Sequence, residues 1–194
     1  MTESTKTTKA GAWVTGRGEH IRQLPVADVR SDDWRMVRAM DLVNREAELL
    51  DHREYEKWQE LYSKDALYII PIEQERDDFE NTLNMVYDDA TMRAMRVTRM
   101  TEGYAIAAVD AAATARTLGR VVPASITEGS NWIDVRFRAV QSLFSYKRGV
   151  HEVWVGEIDF SVRLGASAAD DRIVRKVIRL IDGDDVVSAA GFLP

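Results

Sequence analysis

Three histidines and no cysteine bound the chemistry open to this chain of 194 residues. A mononuclear iron site of the facial-triad kind takes two histidines and a carboxylate from neighbouring turns or strands. The histidines here are His20, His52 and His151, and the nearest two are 32 positions apart, which is not the spacing of such a site. The lack of cysteine excludes a Cys-ligated iron–sulfur cluster, a zinc ribbon, a thiol nucleophile and a redox disulfide. No G-x-S-x-G elbow seats a serine nucleophile. GRGEH at 16–20 has part of a dinucleotide-loop pattern, but Ile21 stands where the last glycine belongs and no strand precedes it.

Acid–base chemistry remains. Tyr55, Asp88, Asp89 or His151 could form a proton-transfer pair inside a cone of curved sheet and helices, as in small isomerases and dehydratases. Each also has a plainer role. Asp88 and Asp89 suit a solvated helix start, His52 a helix end where an imidazolium opposes the dipole, and His151, beside Glu152, a surface or interface. Arg93, Arg96 and Arg99 lie near one helix face, where they either bind an anion or an acidic partner or form a solvated helix end.

These residues need elements to hold them. From Asp33 onward Met36, Met40, Val43, Ala47 and Leu50 make one apolar stripe, widened by Leu42 and Leu49, with Arg38, Asp41, Arg45 and Glu48 on the other side; this predicts a long amphipathic helix. Tyr55, Trp58 and Leu61 predict a second, short one. Leu67–Ile72 reads as a strand, placed by Pro71 at an edge or a bulge. A third helix is predicted over Val86–Met100, with aspartates at its start and arginines at its end. The alanine-rich stretch at 105–117 is ambiguous between helix and loop.

The last third has period two. Ile133, Val135 and Phe137 alternate with Asp134, Arg136 and Arg138, and Trp154, Ile158, Phe160, Val162 and Leu164 alternate with polar residues, so both runs are strands. Residues 172–182 add another, with Ile173, Val177 and Ile181 on one side and Val174, Ile178 and Leu180 on the other. Apolar residues on both faces predict cover on both, by the helices and by something else. Helices first and long antiparallel strands afterwards give an α+β fold, a curved sheet around the N-terminal helices.

Composition narrows the partners. The formal charge is −6, against nucleic acid as a principal partner. No run approaches the roughly 18 apolar residues of a membrane span, and the N-terminus lacks a secretory signal; a soluble, cytoplasmic protein with no membrane partner is expected. Residues 1–30, rich in Thr, Gly and Lys, read as a mobile arm, and 31–194 as a single domain.

The run Arg45–Pro71 closely resembles the small (β) subunit of aromatic-ring-hydroxylating dioxygenases. The family's E-A-x-L-L-D helix end is Glu46, Ala47, Leu49, Leu50 and Asp51 here; its aromatic-x-x-W helix is Tyr55 and Trp58; its D-x-x-Y-x-x-P strand is Asp65, Tyr68 and Pro71. Tyr87–Asp89, Arg96–Arg99, Gly103, Ala115–Thr117, Val155–Leu164 and Arg175–Asp182 match further family segments in order, so the resemblance covers about 34 to 183. Paired prolines of the family are absent before Thr117, Val121–Pro123 replace its S-N-V, and Phe192, Leu193 and Pro194 replace its aromatic C-terminal pair.

The resemblance implies a cone-shaped NTF2-like (cystatin-like) fold with no catalytic, cofactor-binding or metal-binding residue in this chain. It implies a trimer of small subunits beneath three large (α) subunits, an α3β3 hetero-hexamer. Each large subunit would carry a Rieske [2Fe–2S] cluster and a mononuclear Fe(II) for NAD(P)H-dependent dihydroxylation in aromatic-compound catabolism. A Rieske centre needs two cysteines, which this chain lacks. Glu46, Leu50, Asp51, Tyr55, Trp58, Tyr68, Pro71, Arg96 and Arg116 would then be structural motif residues. The exposed-looking aromatics Phe144, Tyr146 and Trp154, with Arg163, would serve the subunit interface. The competing reading is a stand-alone isomerase or dehydratase with the same cone.

Overall fold

The apolar stripe beginning at Met36 becomes α1 (Trp34–Asp51) in the computed structural model, which describes residues 26–101, 112–183 and 192–194. The Asp33 carboxylate caps it by accepting the Arg35 backbone N–H at 2.9 Å, satisfying one of the free donors of the first turn. At the other end the His52 backbone N–H donates to the Glu48 carbonyl at 3.0 Å, so His52 is a helix cap. Met36, Ala39, Leu42, Val43, Ala47, Leu49 and Leu50 are buried, and one carboxylate, Glu46, is buried among them.

Next come α2 (Tyr55–Glu60) and β1 (Tyr62–Pro71), a longer strand than the one expected from Leu67. β1 is interior to the sheet, and Pro71 stands at a ladder irregularity after Ile70, where a missing N–H is tolerated. The expected helix from Val86 is corrected: residues 84–88 form β2 (Asn84–Asp88), antiparallel to β1, and α3 starts only at Ala90 (Ala90–Thr101). Val86 and Tyr87 favour extended backbone, and pairing with β1 satisfies their main chain. Asp89 caps α3 through the Met92 N–H at 2.8 Å.

The described end of the alanine-rich stretch is strand, in β3 (Ala113–Glu128); Gly103 and residues 105–111 lie outside the described residues. β4 (Ile133–Lys147) and β5 (Val150–Leu164) form a hairpin closed by Arg148 and Gly149, with φ of 50° and 83°. A two-residue loop with both φ positive matches the twist of the strands it joins. β6 (Arg172–Leu180) completes a six-stranded sheet in the order β2-β1-β6-β5-β4-β3, antiparallel throughout except β1 against β6. α1 touches β3, β4, β5 and β6, so the sheet curls around it in the expected NTF2-like cone.

β6 differs from its expected facing. Ser161 is opposite Arg175, but Val162 is opposite Ile173, so Val174 is an extra residue on its strand. A bulge resets the period-two alternation. Ile173 therefore joins Ile178 and Leu180 in the inner core, while Val177 faces outward against Ile69 and Phe79. The cover on that outer side is the 72–83 loop, which brings Phe79. Ile181 lies beyond the strand and is 75% exposed.

Residues just before Arg30 are tied to the sheet and core. The Ala27 N–H donates to the Pro123 carbonyl at 3.1 Å and Val29 packs on the core; residues 1–25, including His20, lie outside the described residues. Among the described residues no helix is long and apolar enough to cross a membrane.

Candidate functional site

The position where an NTF2-like cone could hold an acid–base pair is filled by a closed polar cluster. Lys176 Nζ lies 3.0 Å from both carboxylate oxygens of Glu46. Trp58 Nε1–H and the Tyr62 hydroxyl donate to Glu46 Oε1 at 2.8 and 2.9 Å. Glu46 and Lys176 are 1% and 0% exposed. Burial pulls the Lys176 ammonium below its ordinary pKa, opposed by the Glu46 charge. Burial, then the Glu46 carboxylate, pushes the Tyr62 phenol well above its usual range. Removing such a pair from water costs several kcal/mol per ion, offset only when every lone pair is well used; here the carboxylate accepts from three side chains. An acceptor so saturated and so enclosed has no access to a substrate proton.

Aromatic rings fill the space around it. Trp58 meets Tyr62 and Tyr68 edge to face at centroid distances of 5.1 and 5.9 Å, and Phe137 stacks on Phe160 at 5.3 Å. Burial raises the Tyr68 phenol above its usual range, and its hydroxyl donates to the Pro194 main-chain oxygen. Asp51 accepts from the Thr114 hydroxyl and the Arg116 backbone N–H, both at 2.8 Å, and pairs with the Arg116 guanidinium. Arg116 also donates to the Leu193 carbonyl. Residues 192–194 are thereby tied to the end of α1 and to β3. An open groove of about 590 Å³ lies on the outer side of α1, lined by Asp41, Arg45, Glu48, His52 and Leu118.

The four acid–base candidates are not brought together. Tyr55, buried at the start of α2, has its pKa raised first by burial. Asp88 is not solvated: it is 2% exposed and held by Arg96 Nε and Nη2 at 2.6 and 3.0 Å. Asp89 is exposed and caps α3. His151 stands exposed on β5, its ring 4.8 Å from that of Tyr146. β2, an edge strand, is separated from β5 by two strands.

The three arginines of α3 do not form a solvated end or one anion site. Arg93 is buried, donates to the Ala66 carbonyl and lies over the Tyr62 ring at 4.9 Å; burial lowers its pKa. Arg96 neutralises Asp88, and only Arg99 is exposed. Among the described residues no three histidine or carboxylate side chains converge as metal ligands.

Of the interface candidates, Phe144 and Tyr146 are 49% and 48% exposed on the outer face of β4. Trp154 corrects the expectation: it is 8% exposed and packs edge to face on Phe192 at 5.4 Å, because even-numbered residues of β5 point into the cone. Arg163 Nε and Nη2 bond Asp134 at 2.8 and 3.0 Å, and its guanidinium covers Trp132 at 5.3 Å. Sequence reasoning missed Lys176. The available signal was Glu46, an acid inside the apolar stripe of α1, which calls for a buried cation.

Several proteins share this architecture. The β subunit of benzoate 1,2-dioxygenase from Burkholderia mallei superposes with a TM-score of 0.57 at 22% identity, over 78% of this chain and 93% of that one. A naphthalene 1,2-dioxygenase structure with indole in its active site gives 0.62 at 17% identity, over 80% and 82%. At such identities the likeness shows the fold. No curated protein matches the sequence. The model of the ring hydroxylating beta subunit family matches residues 45–186, a span that holds the Glu46–Lys176 cluster, the Asp51–Arg116 pair and all of the sheet. The chain belongs to the ring-hydroxylating β-subunit family.

Proposed function

We propose that this chain is the non-catalytic small subunit of a Rieske-type aromatic-ring-hydroxylating dioxygenase. It orders the large subunits, α3β3, around a trimer of its own kind. The observation that carries this reading is the contrast between an interior closed by Glu46, Lys176, Trp58 and Tyr62 and an outer sheet face left open with Phe144 and Tyr146 on it. A cone whose polar groups satisfy one another offers little to a substrate. Exposed aromatics on a rigid sheet suit a large, apolar obligate contact. Residues Phe144, Tyr146 and Arg163 contribute to that contact. The partner's Rieske cluster and mononuclear iron carry the oxygen chemistry in aromatic-compound catabolism, in the cytoplasm.

Co-expression with a large oxygenase subunit tests the proposal. Co-purification as a hetero-oligomer by light scattering is expected, with iron and ring dihydroxylation following the large subunit. Ring dihydroxylation by the isolated chain, or isomerase turnover abolished by Asp88→Asn, would overturn it.

A further inference from the structure

The outer face of the sheet carries guanidinium groups that the fold leaves without carboxylates. Arg136 on β4 and Arg175 on β6 are both opposite Ser161 on β5. The three residues form one row across the sheet. Among the described residues neither arginine has an ion pair or hydrogen bond. One step along β4, the buried Arg138 Nε–H also lacks an acceptor. Asp159 is opposite Arg138 but already pairs with Arg179 at 3.3 Å, so Arg136 and Arg138, side by side on β4, repel, and an orphaned buried donor has a desolvation penalty. Both are relieved by an incoming carboxylate.

The same chain holds such carboxylates. Residues 73–80 contain Glu73, Glu75, Asp77, Asp78 and Glu80 against Arg76 alone, a net of −4. Phe79 pins this loop over Ile69 and Val177, and Asp77 is committed to Arg179 at 2.5 Å. Glu75 is exposed without a partner among the described residues, and Glu80 meets only the Tyr87 hydroxyl at 3.5 Å. The loop is anchored at β1 and β6, whereas Arg136 lies on β4, two strands and about 10 Å beyond β6. Its own acids are thus held away from Arg136.

We infer that the arginine row of Arg136 and Arg175 is a docking surface for the acidic 73–80 loop of a second copy of this chain. The inference rests on the assembly reading above and names the surfaces that self-association uses. The contact joins two different patches, so it is heterologous, the kind that closes rings. Phe144 and Val153, opposite each other on the same outer face, are 49% and 55% exposed but lie eight residues along β4 and β5 from the arginine row, about 26 Å away, so the charges define this contact by themselves.

Sedimentation of the full chain tests it. Self-association should weaken between about 0.1 and 1 M salt, as the screening length falls from about 10 to 3 Å. R136E/R175E and E75R/E80R should each associate about 100-fold more weakly than wild type, with melting temperatures equal to that of wild type at protein concentrations low enough to dissociate it. R136Q/R175Q gives a milder second case. Mixed together, the two reversed variants should associate with each other more tightly than either does with itself, since each presents the charge the other lacks, but a ring of three keeps one like-charged contact, so the mixture should fall short of the wild-type trimer. Wild-type-like association of the reversed variants, failure of the mixture to associate, or a monomeric wild type overturns the inference. The large subunit gives a separate readout. If it still binds while charge reversal has no effect on self-association, only this inference fails. If charge-swapped pairing holds while the large subunit does not bind, this inference stands and the assembly reading fails.

Discussion

The two faces of the same strands have opposite electrostatic economies. On the inner face, Lys176 meets a carboxylate that also holds an indole and a phenol, and little polar capacity is left over. On the outer face of the same strand, Arg175 has no partner among the described residues. Burial explains the difference. An unpaired charge inside would cost several kcal/mol and is not tolerated, whereas an unpaired charge outside is solvated and available. The inner face is therefore organised for stability, and the outer face keeps a charge in contact with solvent.

Breaking the inner face should give the largest effects. Lys176→Met strands the Glu46 carboxylate in the core and should cost about 3 to 5 kcal/mol in urea unfolding. Glu46→Gln added to it should recover much of the loss, since no ion is then buried. Recovery of nothing would mean that packing around Lys176, rather than its charge, sets the penalty. Trp58→Ala should cost about 3 to 5 kcal/mol for a fully buried aromatic. A loss under about 1 kcal/mol would contradict its 0% exposure.

The outer face should respond in the opposite sense. Phe144→Ser with Tyr146→Ser should change stability by less than about 0.5 kcal/mol yet reduce co-purification with a large subunit. Equal loss of stability and assembly would erase the distinction between the faces. The smallest effect concerns the surface cap of α1. Hydrogen bonds from the Arg35 side chain and backbone hold the Asp33 carboxyl at about 2, below its ordinary 3.8. A carboxylate depressed on folding contributes stability that is present above the unfolded value and lost as pH falls through the folded one. Thermal melts between pH 4 and pH 2 should therefore fall more steeply for wild type than for Asp33→Asn.

Much of this is legible in the sequence. The α1 stripe, the two long β4 and β5 alternations and the α+β order follow from periodicity, and the run Arg45–Pro71 carries the family resemblance. Sequence pattern and structure differ where the pairing or facing of a strand overrides the local run. Val86–Asp88 read as helix because its charges suit a helix start, but β1 offers it a ladder. Trp154 read as exposed because parity tells which residues share a face, not which face is inside. Ile173 lies on the face opposite to Val177, against simple alternation, because a bulge leaves no mark in the hydrophobic pattern.

By itself, the sequence determined the periods, the absence of thiol and clustered-histidine chemistry, and the presence of an acid on an apolar helix face. Those are properties of residue types and spacing along one chain. Only the tertiary structure decided that Glu46 finds Lys176, 130 positions away, that Asp88 is spent on Arg96, and that Arg136 and Arg175 share one uncovered row. Charge pairing depends on which strands are neighbours, and that is set by packing the whole sheet around α1 rather than by any local run.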